Sequence, residues 1–417
     1  MKISLLTTGT RGDTQPYIAL GKELKNLGHE VKLAAFENYG ELVEQHGLHF
    51  HPIKGDIAKI SREMAKSSIE SDNPIKFFSS FQKMKPYIKD KQMGMQRDLF
   101  EACEGADAII YHPGAAIGQF AGEHWGVPTI LASPFPMAPT KEYPALIFYQ
   151  LRWGKTVNLL THKLFEKGFW LTIKPSIAAF WKERFGGRPP HFTNPFGRES
   201  TTDHTSVMSM SPCVFPQPKA GMKSLGYWFL DEDLSEWTPP RDLVDFMDQG
   251  DAPVYVGFGS IYDERADTTT KLVIEALRKS GKRGIIGTGW NQVGNKEGYE
   301  DMYFIESIPH TWLFPKMAGV IHHGGAGTTA TAFRAGVPSV VIPHGNDQFA
   351  WGKRTEELGV GPAPIPRKEL TVENLSQAIT SMQQEPMKKI ALELGRQLQQ
   401  ENGAGETADY IHHFLKG

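Results

Sequence analysis

Ile321-His322-His323-Gly324-Gly325-Ala326-Gly327-Thr328-Thr329 lies between a strand-like run, Gly319 to His322, and a helical run, Thr328 to Ala335. A strand that ends in a glycine-rich turn and continues as a helix is the building unit of an open α/β sheet. Glycines at the turn let a ligand approach the backbone, and the amides at the helix start, with the helix dipole behind them, favour phosphate or pyrophosphate. Neighbours on an extended strand point to opposite faces, so His322 and His323 are poorly placed to share a metal ion. One is expected beside the sheet and the other at the phosphates as a donor. Gly325-Ala326-Gly327-Thr328-Thr329-Ala330 also fits the G-x-G-x-x-A dinucleotide fingerprint, with Asp347 as the ribose acid. Against that reading, the match falls late in the chain and Asp347 lies beyond Pro343 instead of ending the next strand.

Working outward, strand-like runs at Val254 to Gly257, Gly284 to Thr288, Met302 to Ile305 and Ser339 to Ile342 alternate with helical runs at Thr268 to Ser280 and Phe349 to Leu358. The N-terminal half repeats the alternation. Lys2 to Thr7 reads as a strand, and a helix is expected from Pro16 to Leu27, with Pro16 in its first turn and Gly28 past its end. Glu30 to Ala35, Ala108 to Tyr111 and Pro128 to Ala132 read as strands, with helices over Tyr39 to His46 and Ala116 to Trp125. The fold class is therefore α/β: two doubly wound, mostly parallel sheets, expected to face each other across a ligand cleft. The expected divisions are residues 1–215, a linker rich in Pro, Gly and acids at 216–240, a second domain at 241–400, and a closing segment at 401–417.

The chain has 417 residues with 45 Lys+Arg against 47 Asp+Glu, a formal net charge of −2. That balance gives no general pull toward a polyanion and argues against nucleic acid as partner. Two cysteines cannot build a disulfide framework or a four-ligand zinc site and fit a reducing cytoplasm. No run approaches the ~20 apolar residues that span a bilayer, so a cytoplasmic chain, at most peripheral to a membrane, is expected.

Gly9-Thr10-Arg11-Gly12-Asp13-Thr14-Gln15-Pro16 leaves the first strand for the first helix. Asp13 there reads either as a carboxylate stabilising the helix start or as a base that removes a proton. Asp347-Gln348 likewise reads as a helix cap or as acceptors and an amide for sugar hydroxyls. Ser260, in Gly257-Phe258-Gly259-Ser260, could donate to phosphate or close its turn. Between Phe77 and Phe185 large side chains accumulate, among them Phe78, Phe81, Met84, Phe135, Met137 and Phe148. They are read as helical core, as an apolar acceptor pocket, or as a patch resting on a membrane.

These loops, together with Pro309-His310-Thr311-Trp312-Leu313-Phe314-Pro315, stand in the order found in the family 1 UDP-sugar glycosyltransferases, and the sequence most resembles their sterol glucosyltransferase branch and its bacterial relatives. The resemblance spans nearly the whole chain. It implies the GT-B architecture, with the acceptor in the first Rossmann-like domain, the nucleotide sugar in the second, and a C-terminal helix over Glu406 to Leu415 returning to the first. It implies inverting, metal-independent transfer of a hexose, glucose by resemblance, from a UDP or dTDP sugar to a hydrophobic acceptor such as a sterol, terpenoid, flavonoid or other phenol. Asp13 takes the general-base position. His323 and the amides from Gly325 through Ala326 and Gly327 to Thr328 match the donor diphosphate site, with Ser260 helping, Asp347 and Gln348 match the sugar site, and Gly12 is also placed at the donor. Two positions depart from plant members. Ser307-Ile308-Pro309-His310 replaces the base-stacking Trp stretch, leaving Ile308 as a backbone contact to the base, and Thr331 replaces the ribose-binding Glu.

No resident cofactor is expected. The anticipated partners are the nucleotide sugar and a hydrophobic small molecule, with peripheral membrane contact compatible and a monomer expected. A same-fold sugar-nucleotide epimerase, a dehydrogenase and a non-catalytic lipid-binding or sterol-binding protein remain as alternatives. Reaction with donor alone, a nicotinamide absorbance change, or indifference to loss of Asp13 would mark them.

Overall fold

The computed structural model describes residues 1–55, 93–150, 154–216, 221–231, 234, 237–258, 266–288, 299–345 and 347–417. By internal contacts the chain divides into two compact units. One holds the described residues up to Leu230 together with Glu401–Gly417, and the other holds Asp231–Gln400.

In the first unit the strands β1 (Lys2–Leu6), β2 (Glu30–Phe36), β3 (His49–Ile53), β4 (Ala108–Tyr111), β5 (Thr129–Ser133), β6 (His204–Met208) and β7 (Lys223–Ser224) form one parallel sheet in the order β3-β2-β1-β4-β5-β6-β7. The direction of winding reverses between β1 and β4, where Leu6 pairs with Tyr111. Open parallel sheets bind ligands at the carboxyl ends of two such strands. Helix α1 (Arg11–Asn26) buries Tyr17, Ile18, Leu20 and Leu24 against Ile3, Leu5 and Leu33. It begins at Arg11, five residues before Pro16, which corrects the expected start. Thr10 and Asp13 fix that earlier start, so Pro16 stands inside the helix and costs the single ladder bond to Gly12.

Helix α2 (Gly40–Gln45) follows β2, α3 (Ile117–Trp125) follows β4, and α4 (Lys155–Phe185) follows β5. Residues 223–226, expected in the linker, join this unit: β7 pairs with β6, and Met210 bridges Gly226. Trp228 is buried and donates through its indole to Thr407 at 2.9 Å.

The second unit is a parallel sheet of β8 (Val254–Gly257), β9 (Gly284–Gly287), β10 (Met302–Ile305), β11 (Gly319–His322) and β12 (Ser339–Val341), ordered β10-β9-β8-β11-β12. Successive side chains alternate between two cores, as strand geometry requires. Val254, Val256 and Ile321 face α6 (Ala266–Lys279) and α10 (Val372–Met382), whereas Tyr255, Ile285 and Val320 face α5 (Arg241–Asp248) and α7 (His310–Leu313). Winding reverses between β8 and β11, where Gly257 pairs with His322. Helices α8 (Ala326–Ala335) and α9 (Gln348–Glu357) leave the ends of β11 and β12, and α11 (Glu385–Gln400) closes the unit. Helix α12 (Gly403–Lys416) belongs to the first unit and packs Ala404, Ala408 and Ile411 into the core beneath α1. Among the described residues no helix is long and apolar enough to cross a membrane.

Candidate active site

At the reversal point of the first sheet, Asp13 sits in the first turn of α1 and turns its carboxylate back onto Thr10. Oδ2 accepts the Thr10 amide at 2.7 Å and the Thr10 hydroxyl at 3.1 Å. Gly9 makes this possible. Its φ is +123°, and a Cβ there would lie 2.2 Å from Asp13 Oδ2. With Oδ2 held, Oδ1 faces Nε2 of His112 at 3.7 Å.

His112 follows β4 and was not singled out by the sequence. Its Nδ1 accepts the Gly114 amide at 2.9 Å, so the neutral ring carries its proton on Nε2, toward Asp13. The ring is buried between Tyr17 and Phe135, with centroids 5.9 and 6.2 Å away. Asp13 thus caps the helix with one oxygen and leaves the other facing His112. Gly12 is exposed in the same turn.

Phe135 opens an aromatic row. Phe165 lies 6.4 Å from it, Phe169 stacks on Phe165 at 5.7 Å, and Phe196 meets Phe169 at 5.6 Å. Phe165 and Phe169 belong to the stretch of large side chains between Phe77 and Phe185, and Phe196 lies beyond it. Met137 is buried and Phe148 half-buried, while Phe78, Phe81 and Met84 lie outside the described residues, as does Ser260. The ordinary core reading holds for Phe180 and Trp181, which pack around Phe100.

In the second unit, the residues after β8, β11 and β12 converge. His322 ends β11 fully buried, and its Nδ1 accepts the Gly324 amide at 3.0 Å, which tightens the turn. Burial, with His323 and His310 nearby, pushes its pKa down to about 3. Gly324 has φ +88°, and a Cβ there would press on the Gln348 carbonyl at 2.9 Å, so the turn lies directly against the start of α9. His323 is half-buried, and its Nδ1 has no hydrogen-bond partner among the described residues. Burial holds it down to about 4, against the opposing pull of the Gly257 backbone. Gly325 is the extended N-cap of α8, and among the described residues no side chain caps that helix, an arrangement whose first-turn amides suit a phosphate.

His344, also not singled out by the sequence, packs 5.5 Å from Phe258 and has both ring nitrogens buried without partners among the described residues. Burial, then His323 and Arg367, lower its pKa to about 3. Gln348 accepts the His344 amide through Oε1 at 2.8 Å. Asp347 occupies the N-cap position of α9 but makes no capping bond. Its Oδ2 accepts the Trp351 indole N–H at 3.2 Å. Ile308 is buried beside Tyr255, Leu313 and Phe314. Among the described residues no three His, Cys, Asp or Glu side chains are grouped so as to hold a metal ion.

Residues 3–144 match the glycosyltransferase family 28 N-terminal domain, and residues 299–410 match the C-terminal domain of the erythromycin biosynthesis protein CIII-like family. A sterol 3-beta-glucosyltransferase of Arabidopsis thaliana is 34 % identical over 100 % of this chain and 68 % of its own length. One from Debaryomyces hansenii is 35 % identical over 99 % of this chain and 27 % of its own length. The chain thus spans about two thirds of the plant relative and little more than a quarter of the fungal one. Among solved structures, the kitacinnamycin glycosyltransferase aligns over 99 % of both chains with a TM-score of 0.69 at 20 % identity. The calicheamicin glycosyltransferase aligns over 100 % of this chain and 98 % of its own, with a TM-score of 0.69 at 17 % identity. Sequence identity carries the relationship and the solved structures carry the fold: the chain belongs to the GT-B UDP-sugar glycosyltransferases, in the branch that holds the sterol 3-beta-glucosyltransferases.

Proposed function

We propose that the protein transfers a hexose, glucose in the first instance, from a UDP-sugar to the hydroxyl of a sterol or similarly flat apolar acceptor, with inversion and without a metal. The observation that carries this reading is Asp13, with one oxygen tied to Thr10 and the other turned toward His112 at the head of an aromatic row. A sterol offers a rigid apolar body with one hydroxyl, which suits a row of rings ending in a carboxylate. Asp13 takes the hydroxyl proton as the acceptor oxygen bonds to the anomeric carbon and the bond from that carbon to the diphosphate breaks. Placed base catalysis of this kind contributes ~10²–10⁴ in rate.

On the donor side, the α8 amides and His323 hold the diphosphate and stabilise the charge that grows on it as it leaves. Asp347 and the amide nitrogen of Gln348 are assigned to the sugar hydroxyls. The tie between Gln348 Oε1 and the 344–345 backbone fixes which end of that amide is presented. Support for a nucleotide-sugar donor includes a solved relative of like fold that carries thymidine diphosphate.

The test is a mass readout of hexose addition. UDP-glucose and dTDP-glucose are each offered with a sterol, a flavonoid and a simple sugar, with and without EDTA. Sterol glucoside formed from UDP-glucose in EDTA is the expected product. Transfer to the simple sugar alone, or complete metal-reversible loss in EDTA, would overturn the reading.

A further inference from the structure

Helix α4 buries His162, Trp170, Ile177, Phe180 and Trp181, and its opposite side carries an ordered pattern. Leu160, Leu164 and Leu171 are 53 %, 48 % and 55 % exposed. At ~100° per residue these three fall within a ~40° arc, and Lys163, Lys167 and Lys174 fall within a second arc offset from the first by ~60°. The outer face of the helix is thus one row of leucines beside the exposed Lys163 and Lys167, while Lys174 turns its ammonium over the Trp170 and Phe192 rings, 5.9 and 5.4 Å from their centroids. At the same spacing Phe185, 41 % exposed, falls on the lysine arc, where its ring packs against His124 and Trp181 and does not extend the leucine row.

Charge along the helix is one-sided. From Lys155 to Lys182 the sequence holds five lysines and a single acid, Glu166, within a chain of net charge −2. Glu166 is turned inward beside Gly197, and burial raises its carboxyl to about 7, so it offsets little of the outer charge. The next acid, Glu183, pairs with Arg97 at 2.7 Å. Lysine is depleted in the cores of protein–protein interfaces, whereas at a lipid surface its long stem lies along apolar surface while its ammonium stays among the headgroups.

We propose that the leucine row of α4 and the exposed lysines beside it rest on an anionic membrane surface. The leucines enter the boundary between headgroups and acyl chains, and the lysines meet lipid phosphate. The helix lies in the plane of that surface, because a face this rich in lysine does not suit a span. Docking through α4 would bring an enzyme with a flat apolar acceptor to the phase in which such acceptors dissolve, yet the docking itself requires neither donor nor acceptor.

The experiment is co-sedimentation of the full chain, without substrates, on vesicles of phosphatidylcholine alone and of an equal mixture of phosphatidylcholine and phosphatidylglycerol. Partitioning is expected to be at least about tenfold stronger on the mixed vesicles and to weaken in high salt. Leu160→Ser/Leu164→Ser/Leu171→Ser should lose most of the binding. Lys163→Glu/Lys167→Glu should lose the preference for anionic lipid. Both should keep the melting temperature and the transfer rate to a detergent-dispersed acceptor, and Leu171→Ser alone gives an intermediate loss should the triple variant misfold. Equal partitioning of wild type and variants overturns the proposal. So does a wild-type dimer in sedimentation velocity that the leucine variant dissolves while vesicles bind neither protein, since the face would then be an interface between copies. If sterol transfer fails but vesicle binding follows these leucines and lysines, the membrane proposal stands and the acceptor reading falls.

Discussion

His112 turns its Nε2–H toward Oδ1 of Asp13 across 3.7 Å, while its other ring nitrogen is fixed by the Gly114 amide at 2.9 Å. The two residues come from the carboxyl ends of β1 and β4, neighbours in the sheet and about a hundred positions apart in the chain. At 3.7 Å the ring makes no hydrogen bond to the carboxylate, but it presents a donor toward Oδ1 without competing for the substrate proton. His112→Asn keeps an acceptor for the Gly114 amide and removes the donor toward Asp13. We expect turnover to fall about tenfold with the KM for UDP-glucose unchanged, a split that marks an effect on the chemical step. A change in KM alone would assign His112 to donor binding.

Asp13→Asn retains an oxygen for the Thr10 amide, so the start of α1 should survive with a small loss of stability from the missing charge at the helix dipole. If Asp13 is the base, turnover on a sterol falls by ~10²-fold or more while UDP binding stays constant. The loss should be smaller on an acidic phenol, whose hydroxyl needs less help. An unchanged rate on the sterol would remove Asp13 from the mechanism.

Gly9→Ala tests the same geometry without touching a polar group. The new methyl would stand 2.2 Å from Asp13 Oδ2 on a backbone with φ +123°, so either the carboxylate or the loop must move. Backbone strain of this kind costs ~1–3 kcal/mol, and displacement of the carboxylate should also lower turnover by ~10²-fold. Gly28→Ala is the control, because its φ is +85° and a methyl there meets nothing within 4 Å. It should lose stability and keep activity, and equal activity losses in both variants would refute the geometric account.

The loops were legible in the sequence because each is a short segment that follows a strand directly, so its chemistry is local. Asp13, His323 and Asp347 all fall at such positions. His112 and His344 also follow strands, yet nothing in Tyr111-His112-Pro113 says that β4 lies beside β1, and strand order depends on contacts far apart in the chain. Phe165 and Phe169 share a helix side by spacing alone, but only the folded sheet shows that this side meets Phe135. Pro16 is a strong local signal for a helix start, yet α1 begins at Arg11. The capping by Thr10 and Asp13, with Gly9 making room, outweighed it.

The donor loop should make the second unit sensitive to acid. His322, His323 and His344 are held neutral by burial, at about 3, 4 and 3, whereas an unfolded histidine titrates near ~6.5. Below that value the unfolded chain binds more protons than the folded one, so stability is full above it and declines as pH falls toward 4. Each such histidine adds about 1.4 kcal/mol per pH unit to the slope inside the window. Urea midpoints of unfolding should be level above about pH 7 and fall steadily below about pH 6, and His344→Asn should flatten the fall by about one proton. A level midpoint down to about pH 5 would contradict the burial of these rings.

His323 raises the question of whether a neutral imidazole can serve a leaving diphosphate. With its pKa down at about 4 the ring is uncharged at neutral pH, so in the proposed role it would give a hydrogen bond rather than a cation. Loss of one donor to a charged group costs roughly 1.5–3 kcal/mol, which sets the expected loss in His323→Ala at ~10- to 100-fold. The loss should fall on both UDP-glucose affinity and turnover, because the diphosphate is bound before the reaction and gains charge during it. A neutral donor can be replaced by another, so His323→Gln should recover part of both. UDP-glucose has no phosphate group titrating near neutrality, so its affinity measured by calorimetry should be flat between about pH 6 and 8 if the ring stays neutral. An affinity that climbs steadily toward acid, with no recovery in His323→Gln, would mean that the bound diphosphate draws a proton onto the ring and that His323 acts as a cation after all. Equal affinity and rate in His323→Ala would instead leave the diphosphate to the α8 amides alone.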